Sequence, residues 1–188
     1  MEKQKLLLHS CCAPCSTAVI ERLISDYDIT ILYYNPNIYP EQEYLKRKDE
    51  EIRYIKIFNE KNPNSNVKML DCDYESEKFY EAVKGLEDEK EGGARCPVCF
   101  KLRLQKTAEL AKQKGYDIFG TTLTVSPHKN AELINQIGES IENNLGIKFL
   151  QSNFKKQNGY KRSIELSKEN NLYRQNYCGC EFALRKQL

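Results

Sequence analysis

The sequence predicts an α/β protein with a Rossmann-like, three-layer fold and a mostly parallel sheet of about five strands. Two observations predict it: short apolar runs alternate with longer segments of helical periodicity, and the 188 residues match the usual size of one domain. Strand-helix-strand connections are right-handed, which makes neighbouring strands parallel and covers both sheet faces with helices. We therefore expect a single α/β domain over residues 1–188, in which a C-terminal segment, residues 155–188, packs near the active site.

The first half of the chain predicts three strands and two helices. Residues 5–10, "KLLLHS", form a continuous apolar run typical of a buried strand, and residues 16–27 have apolar side chains at helical spacing. Residues 28–37 form a second apolar run that closes on an Asn-Pro-Asn turn. Residues 40–62 carry an apolar stripe on a charged background, which predicts an amphipathic helix, and residues 66–74 predict a third strand.

The second half continues the alternation. A serine opens a predicted helix over residues 76–86, and helical spacing over 96–115 ends on a glycine, a common helix terminator. Residues 116–124 predict a fourth strand, 130–146 a helix and 147–154 a fifth strand. The C-terminal segment that follows is predicted to be partly helical.

This fold predicts where the chemistry lies. Ligands of open α/β sheets bind outside the carboxyl ends of the strands, where the strand order switches. Cys11 and Cys12, the stretch from Asp71 to Asp73 and the polar "TTLTVSPHK" all fall at or just after such ends. We expect these groups to converge at one edge of the sheet.

Composition narrows the function. The 29 Lys and Arg nearly balance 27 Asp and Glu, so the whole molecule has no strong basic field, although a local basic patch remains open. No apolar run suits a signal peptide or approaches the roughly 20 residues of a membrane span, which predicts a cytoplasmic protein. Disulfide frameworks are rare in that reducing compartment, so the eight cysteines indicate metal or redox chemistry.

The strongest signal is a pair of cysteine groups, "CCAPC" with Cys11, Cys12 and Cys15, and "CPVC" with Cys96 and Cys99. Each lies next to a predicted helix start, where the helix dipole and free N–H groups favour thiolates. Several thiolates select zinc or an iron-sulfur cluster. Side chains of adjacent cysteines on an extended segment point in opposite directions, which suits a cubane better than one zinc ion. We favour iron and sulfur, while structural zinc stays open.

Smaller signals accompany these groups. Cys178 and Cys180 flank one glycine, and a disulfide across so short a loop would be easily reduced, although two metal ligands or two plain thiols fit equally well. His128 follows the fourth strand in "SPHKN" and suits substrate contact or proton donation, while His9 precedes the cysteine pair. Cys72 lies in an apolar run and is interpreted as a small buried hydrophobe.

Basic and aromatic side chains are interleaved in the C-terminal segment, a pattern that suits phosphates and stacked bases of RNA but also an ordinary solvated helix. The basic residues are Lys155, Lys156, Lys161, Arg162, Lys168, Arg174, Arg185 and Lys186, and the aromatic ones are Tyr160, Tyr173 and Tyr177. We choose Lys161, Arg162, Tyr173 and Arg174 as the candidate nucleic-acid contacts.

Four segments, "HSCCAPCS", "EGGARCPVCFKLRL", "TTLTVSPHKN" and "GYKRSIELSKENNLYRQNYCGC", occur in this order and span nearly the whole chain. Together they resemble the QueH family of epoxyqueuosine reductases. The resemblance implies a cobalamin-independent, two-electron removal of the epoxide oxygen of epoxyqueuosine at the wobble position of tRNA, giving queuosine. It also implies an electron donor, whose identity the sequence does not specify, and no membrane partner.

The resemblance further implies site residues. A 4Fe-4S cluster would be held by Cys11, Cys12, Cys96 and Cys99, and Cys178 and Cys180 would form a redox-active disulfide. The family is associated with an additional iron ion, for which Cys15, Asp71 and Asp73 are candidate ligands by their chemistry alone.

Two other functions remain open. One is a zinc-stabilised RNA-binding module without turnover. The other is an adenylating tRNA-thiolation enzyme of similar fold, although "SCCAPCS" lacks the serine- and glycine-rich cradle that a pyrophosphate needs.

Overall fold

The computed structural model describes residues 3–185, and within them five strands form one parallel sheet, as predicted. The strands are β1 (Gln4–His9), β2 (Tyr27–Tyr33), β3 (Lys68–Asp71), β4 (Ile118–Thr121) and β5 (Lys148–Phe149). Their order across the sheet is β3-β2-β1-β4-β5. The chain therefore builds outward from β1 on one side and then crosses to the other. This switch between β1 and β4 is where a ligand site is expected in such a sheet.

Helices cover both faces of the sheet and confirm the α/β prediction. They are α1 (Ala13–Leu23), α2 (Glu41–Lys61), α3 (Ser76–Ala82), α4 (Arg95–Gln113), α5 (Ala131–Leu145), α6 (Gly159–Glu169) and α7 (Glu181–Arg185). A 3₁₀ turn, Leu123–Val125, follows β4. No helix in the described part of the chain is both long and apolar enough to cross a membrane.

Burial of β1 on both faces centres the fold. Leu6 and Leu8 pack into the apolar cluster on one face of the sheet, and Leu7 packs into the cluster on the other. All three side chains are fully buried. Because successive side chains of a strand alternate between faces, a run of three leucines fits a strand covered by helices on both sides.

The element boundaries differ from the predicted ones in two informative places. Helix α1 begins at Ala13 rather than at residue 16, with Pro14 in its first turn, where a missing N–H costs nothing. Strands β3 and β5 are shorter than predicted, because each lies at an edge of the sheet and pairs on one side only. The earlier helix start places Cys15 within the first turn of α1.

A buried histidine joins the carboxyl ends of three strands. His9 Nδ1 lies 3.0 Å from Thr121 Oγ1, and its Nε2 lies 3.1 Å from the carbonyl oxygen of Tyr34 and 3.3 Å from Asn35 Oδ1. Asn35 in turn donates to the carbonyl of Ser10 at 2.8 Å. Burial, and then the charge of the nearby Arg103, lower the pKa of His9 to about 4, so its ring is neutral near pH 7.

The buried carboxyl group of Glu51 accepts a hydrogen bond from the loop after β1. The Ser10 hydroxyl donates to Glu51 Oε2 at 3.0 Å, and Glu51, on α2, is fully buried. Its other oxygen has no hydrogen-bond partner among the described residues. Burial raises the pKa of Glu51 to about 7, against hydrogen bonds from Ser16 and Ser10 that favour the carboxylate. Ionisation of this group therefore works against folding.

We predict that Glu51→Gln removes a pH dependence of stability. A folded-state pKa raised from 4.5 to about 7 gives stability that is fully present below pH 4.5 and is lost as the pH rises through 7. At about 1.4 kcal/mol per pKa unit, the unfolding free energy of the parent relative to the variant should fall by about 3 kcal/mol between pH 4.5 and pH 8. Urea denaturation of both proteins across this range measures the difference, and parallel pH profiles would refute the assignment.

Candidate metal and redox site

Three cysteine thiols meet directly after β1. The Sγ atoms of Cys12 and Cys15 lie 2.7 Å apart, those of Cys11 and Cys12 lie 3.8 Å apart, and all three lie within 4.8 Å of one another. Four sulfur ligands bound tetrahedrally at about 2.3 Å would lie roughly 3.8 Å from each other. The three thiols are therefore close enough to hold a metal together.

This geometry corrects one expectation. We expected the side chains of the adjacent Cys11 and Cys12 to diverge, which was the argument against a single ion. Instead the chain leaves β1 at His9 and turns, so that Cys12 caps α1 in an extended conformation and Cys15 returns one turn later. The turn, rather than an extended strand, sets the direction of these side chains. Spacing alone therefore does not distinguish one ion from a cluster.

The three thiols share one favoured negative charge. The pKa of Cys11 is lowered because the Cys12 and Cys15 thiols donate hydrogen bonds to it, and because Lys129 and Arg103 attract the thiolate. Burial raises the pKa of Cys12, and donation to Cys11 and Cys12 raises the pKa of Cys15. Ionisation is thus most favoured at Cys11, and metal binding would have to displace the protons that Cys12 and Cys15 hold more tightly.

The second cysteine group begins helix α4. Cys96 lies in its first turn and accepts a hydrogen bond from the Gly92 N–H at 3.2 Å, while Cys99 is buried one turn later. Cys96 packs against the same apolar cluster that contains Cys11 and Cys12. Burial raises the pKa of Cys99, and Arg103 partly offsets this effect. Two segments about 85 residues apart in the sequence therefore bring their thiols to one side of the sheet.

The last two cysteines come from the C-terminal segment. Cys180 forms an antiparallel bridge with Ile38, and the Tyr39 N–H donates to the carbonyl of Gly179 at 2.8 Å. Both cysteines are unpaired thiols in this structure. Burial raises the pKa of Cys178 to about 12, even though Lys129 favours its thiolate. Burial therefore favours the neutral thiol of Cys178.

Two adjoining cavities connect these groups. The first cavity, of about 260 Å³, is bordered by Cys96, Cys99, Cys178 and Cys180. The second, of about 510 Å³, is bordered by Cys11, Cys15 and Cys178. The two cavities share four lining residues, Glu91, His128, Lys129 and Cys178. Six of the eight cysteines therefore border one connected space at the carboxyl edge of the sheet.

Two cations face this space without a carboxylate partner. Arg103 is only 3% exposed, and its Nε donates to the Cys99 carbonyl at 3.2 Å. Burial lowers the pKa of Lys129, but electrostatic interactions with Cys11, Cys178 and Cys15 outweigh it and raise the pKa overall. Neither cation forms a salt bridge with any residue in the described range. Their charges suit an anionic centre built from thiolates, and this donor set fits a thiolate-bound metal.

The other predicted metal and proton-transfer residues lie in different places. His128 is exposed and borders both cavities, as a proton donor to a bound substrate would. Asp71 forms an ion pair with Lys48 at 2.6 Å, and it borders a separate open depression with Asp73 and Cys72. The structure therefore does not bring these two carboxylates to the thiols. Cys72 is half-buried rather than fully buried.

Some of the predicted tRNA contacts are exposed and others are already paired within the protein. Arg174 is exposed and borders the second cavity, and Lys161 is exposed without a polar partner among the described residues. Arg162 pairs with three carboxylates, those of Glu21, Glu165 and Glu169. The ring of Tyr173 lies under the Lys46 ammonium at 3.5 Å, and its hydroxyl donates to Glu43. Lys186 and the side chain of Arg185 lie outside the described residues.

Sequence reasoning missed three site residues. They are Lys129 and Arg103, which face the cavities without a salt bridge to any described residue, and Gln175, whose side-chain amide donates to Cys12 Sγ at 2.9 Å. The side-chain oxygen of Gln175 is buried with no hydrogen-bond partner among the described residues. The position directly after His128 was a signal for Lys129, and the position three residues before Cys178 was a signal for Gln175. Arg103, one turn beyond Cys99, looked like any charged residue of a surface helix.

Comparisons with known proteins agree with this site. The family model described as "Epoxyqueuosine reductase QueH" matches residues 6–186. Proteins named Epoxyqueuosine reductase QueH are similar to nearly the whole of this chain. The one from Staphylococcus epidermidis is 48% identical over 99% of this chain and 79% of the relative, and the one from Thermotoga maritima is 39% identical over 95% of this chain and 90% of the relative. A Streptococcus pyogenes relative of the same name is 45% identical over 98% and 72%. This chain belongs to the epoxyqueuosine reductase QueH family.

Proposed function

We propose that this chain reduces the epoxide of epoxyqueuosine in tRNA to give queuosine. Family membership supports this activity, and one structural observation carries it: thiols from three separate segments border two cavities that share a wall. A two-electron reduction needs electron carriers and a substrate space in contact with each other. The residues that line both cavities would bring the electron carriers and the substrate into contact. The position of the space, outside the carboxyl ends of β1 and β4, is the expected ligand position of this fold.

We propose an iron-sulfur centre as the electron carrier. Cys11, Cys12, Cys96 and Cys99 are the proposed ligands of a 4Fe-4S cluster, and Cys15 is the proposed ligand of an additional iron. When bound, such a cluster supplies single electrons at a potential set by its charge and hydrogen bonds. Arg103 and Lys129 would offset the negative charge of the thiolates, and Gln175 would donate a hydrogen bond to the sulfur of Cys12. Asp71 and Asp73 lie apart and have no structural support as ligands.

Cys178 and Cys180 are proposed to supply the electron pair. Removal of the epoxide oxygen as water consumes two electrons and two protons and leaves a carbon-carbon double bond. Oxidation of the two thiols to a disulfide releases two electrons and two protons, so the two half-reactions balance. His128, at the mouth shared by both cavities, is placed to protonate the departing oxygen. An external donor then reduces the disulfide.

We propose that the second cavity receives the modified nucleotide. Its lining combines Tyr160 and Tyr177 with Arg174 and Lys129, which offers aromatic faces for a base and cations for phosphates. Cys11, Cys15 and Cys178 form another part of the same wall. A substrate in this cavity therefore touches both the proposed metal ligands and the proposed thiol donor.

A zinc-stabilised RNA-binding module is the second candidate function. One observation favours it: the Sγ atoms of Cys11, Cys12 and Cys15 are close enough to share a single tetrahedral ion. Such a site would be structural and would give a colourless protein. The metal content of the protein purified without oxygen separates the two functions directly.

We predict that Cys96→Ala loses iron, visible colour and reductase activity together, because it removes a proposed cluster ligand. Cys178→Ala should keep iron and colour but lose turnover with a biological donor, because the second electron source is gone. Cys72→Ser is the matched control, since Cys72 borders neither cavity, and it should keep all three properties. Iron and sulfide analysis, absorption spectra and product formation measure these outcomes. Zinc in place of iron, or full activity in both variants, would refute the proposed function.

We predict that Arg174→Ala and Lys161→Ala each weaken tRNA binding and reduce the slope of log affinity against log salt by about one. Both cations are exposed and free of carboxylate partners in the described part of the chain. Arg162→Ala should change the slope less, because Glu21, Glu165 and Glu169 already neutralise its charge. Binding titrations at several salt concentrations measure the slopes. An unchanged slope in the first two variants would remove them from the tRNA interface.

A further inference from the structure

A buried arginine that borders neither cavity holds the turn that carries the last two cysteines. Arg47, on α2, is 1% exposed. A guanidinium so deeply buried is costly unless its donors are satisfied. The hydrogen-bond partners of Arg47 therefore indicate which segment it stabilises.

The partners of Arg47 are one carboxylate and two successive backbone carbonyls. Its Nε donates to Glu43 Oε1 at 2.7 Å, one turn earlier on α2. Its Nη2 donates to the carbonyl of Tyr177 at 3.2 Å, and its Nη1 to that of Cys178 at 3.3 Å. The guanidinium also lies 5.1 Å from the centre of the Tyr177 ring. Only a planar fork with several N–H groups makes three such bonds at once.

These contacts complete a backbone anchor for the turn. The next carbonyl along the chain, that of Gly179, accepts from the Tyr39 N–H, and Cys180 bridges Ile38. Three successive carbonyls are thus held from the side of α2 and the preceding loop. The side chains of Cys178 and Cys180 are left to border the first cavity.

The fit at Gly179 is tight. Gly179 has φ of +108°, a conformation that favours glycine. A Cβ at this position would lie 2.8 Å from Ile38 Cγ1 and 3.2 Å from Arg47 Nη1. The turn therefore sits directly against the guanidinium, with no space for a bridging water.

The same guanidinium also acts on the first cysteine group. Burial lowers the pKa of Arg47, but the Cys12 thiolate and Glu43 outweigh it and raise the pKa overall. Arg47 in turn favours the Cys12 thiolate. Arg47 is thus hydrogen-bonded to the backbone of the cysteine turn and electrostatically coupled to Cys12.

We infer that Arg47 is the positioning residue that fixes Cys178 and Cys180 at the first cavity, through the fork that its guanidinium makes to the Tyr177 and Cys178 carbonyls. Its importance for turnover rests on the proposed function, in which these thiols donate electrons. The positioning itself is a property of the folded chain and does not depend on that activity.

A second arginine on the same helix provides a matched control. Arg53 pairs with Glu50 and donates to the carbonyls of Asn170 and Asn171, at 3.2 and 2.8 Å. It therefore has the same kind of partners as Arg47: a glutamate on α2 and two successive carbonyls of the C-terminal segment. However, it holds the end of α6 rather than the cysteine turn.

The test is the alkylation rate of each cysteine, resolved by mass spectrometry, in the full-length protein purified and reduced without oxygen. In Arg47→Met and Arg47→Lys, Cys178 and Cys180 should react at least about tenfold faster, because losing charged hydrogen bonds populates an open turn. Cys72, an internal reference, should keep its rate. Arg53→Met should leave Cys178 and Cys180 at the parental rate.

Three outcomes would overturn the positioning role of Arg47. Parental rates in both Arg47 variants would show that the fork is not needed. Parallel acceleration of Cys72 would indicate general destabilisation, and parental rates in Arg47→Lys alone would show that charge, rather than the fork, matters. Turnover with a dithiol donor should fall in Arg47→Lys through kcat, with KM for tRNA unchanged. Faster alkylation without loss of turnover would keep the positioning role and refute the electron-donor role.

Discussion

The site depends on the hydrogen bonds that His9 makes at the carboxyl edge of the sheet. One neutral imidazole joins β1 to the end of β4 and to the loop after β2, and Asn35 extends this connection to Ser10. Cys11, the first of the cysteines, directly follows Ser10. Because both ring nitrogens are used and the ring is fully buried, the direction in which the chain leaves β1 is fixed. The closeness of three thiols follows from this constraint, since a freer loop would let Cys11 and Cys12 diverge.

Charge compensation is the second requirement of the site. Several thiols crowd together in a buried space, where each thiolate loses solvation. The molecule supplies two cations, Arg103 and Lys129, without carboxylates of their own, so their charge is available to the sulfurs. Two other buried arginines anchor backbone segments: Arg47 donates to the turn that carries Cys178, and Arg95 donates to the carbonyls of Leu86 and Glu89 in the loop before α4. Arginine therefore serves here both as a counter-ion and as a backbone anchor.

The sequence predicted the fold class and the convergence of cysteines for a simple reason. Apolar periodicity defines strands and helices, and all strands of a parallel sheet end at the same edge, so groups just after β1 and β4 approach each other. Strand order is not contained in that pattern. Asp71 and Asp73 follow β3, which lies at the sheet edge beyond β2, so they share the rim but not the site. The sequence does not give the strand order, so it could not predict the distance of these carboxylates from the thiols.

Side-chain contacts between segments far apart in the chain could also not be predicted from the sequence. Arg162 and Tyr173 fit a pattern of RNA-binding residues, yet their partners Glu21 and Glu43 come from α1 and α2. Nothing local distinguishes such a residue from Arg174, which stays exposed at a cavity. The burial of Arg47 could not be predicted for the same reason, because a charged residue on an amphipathic helix is normally solvated. Burial of that face became apparent only when the C-terminal segment was seen to cover it.

The position of Cys178 accounts for how the proposed metal centre and the proposed thiol pair would act together. Among the cysteines in the described structure, Cys178 alone borders both cavities. Cys180, two residues later, borders the first cavity with Cys96 and Cys99, while Cys11 and Cys15 border the second. A donor that has to reach both a metal centre and a substrate must lie where their spaces meet, because electrons and protons transfer efficiently only over short distances. In this fold that place is reached by the C-terminal segment, which returns across α2 to the rim where β1 ends.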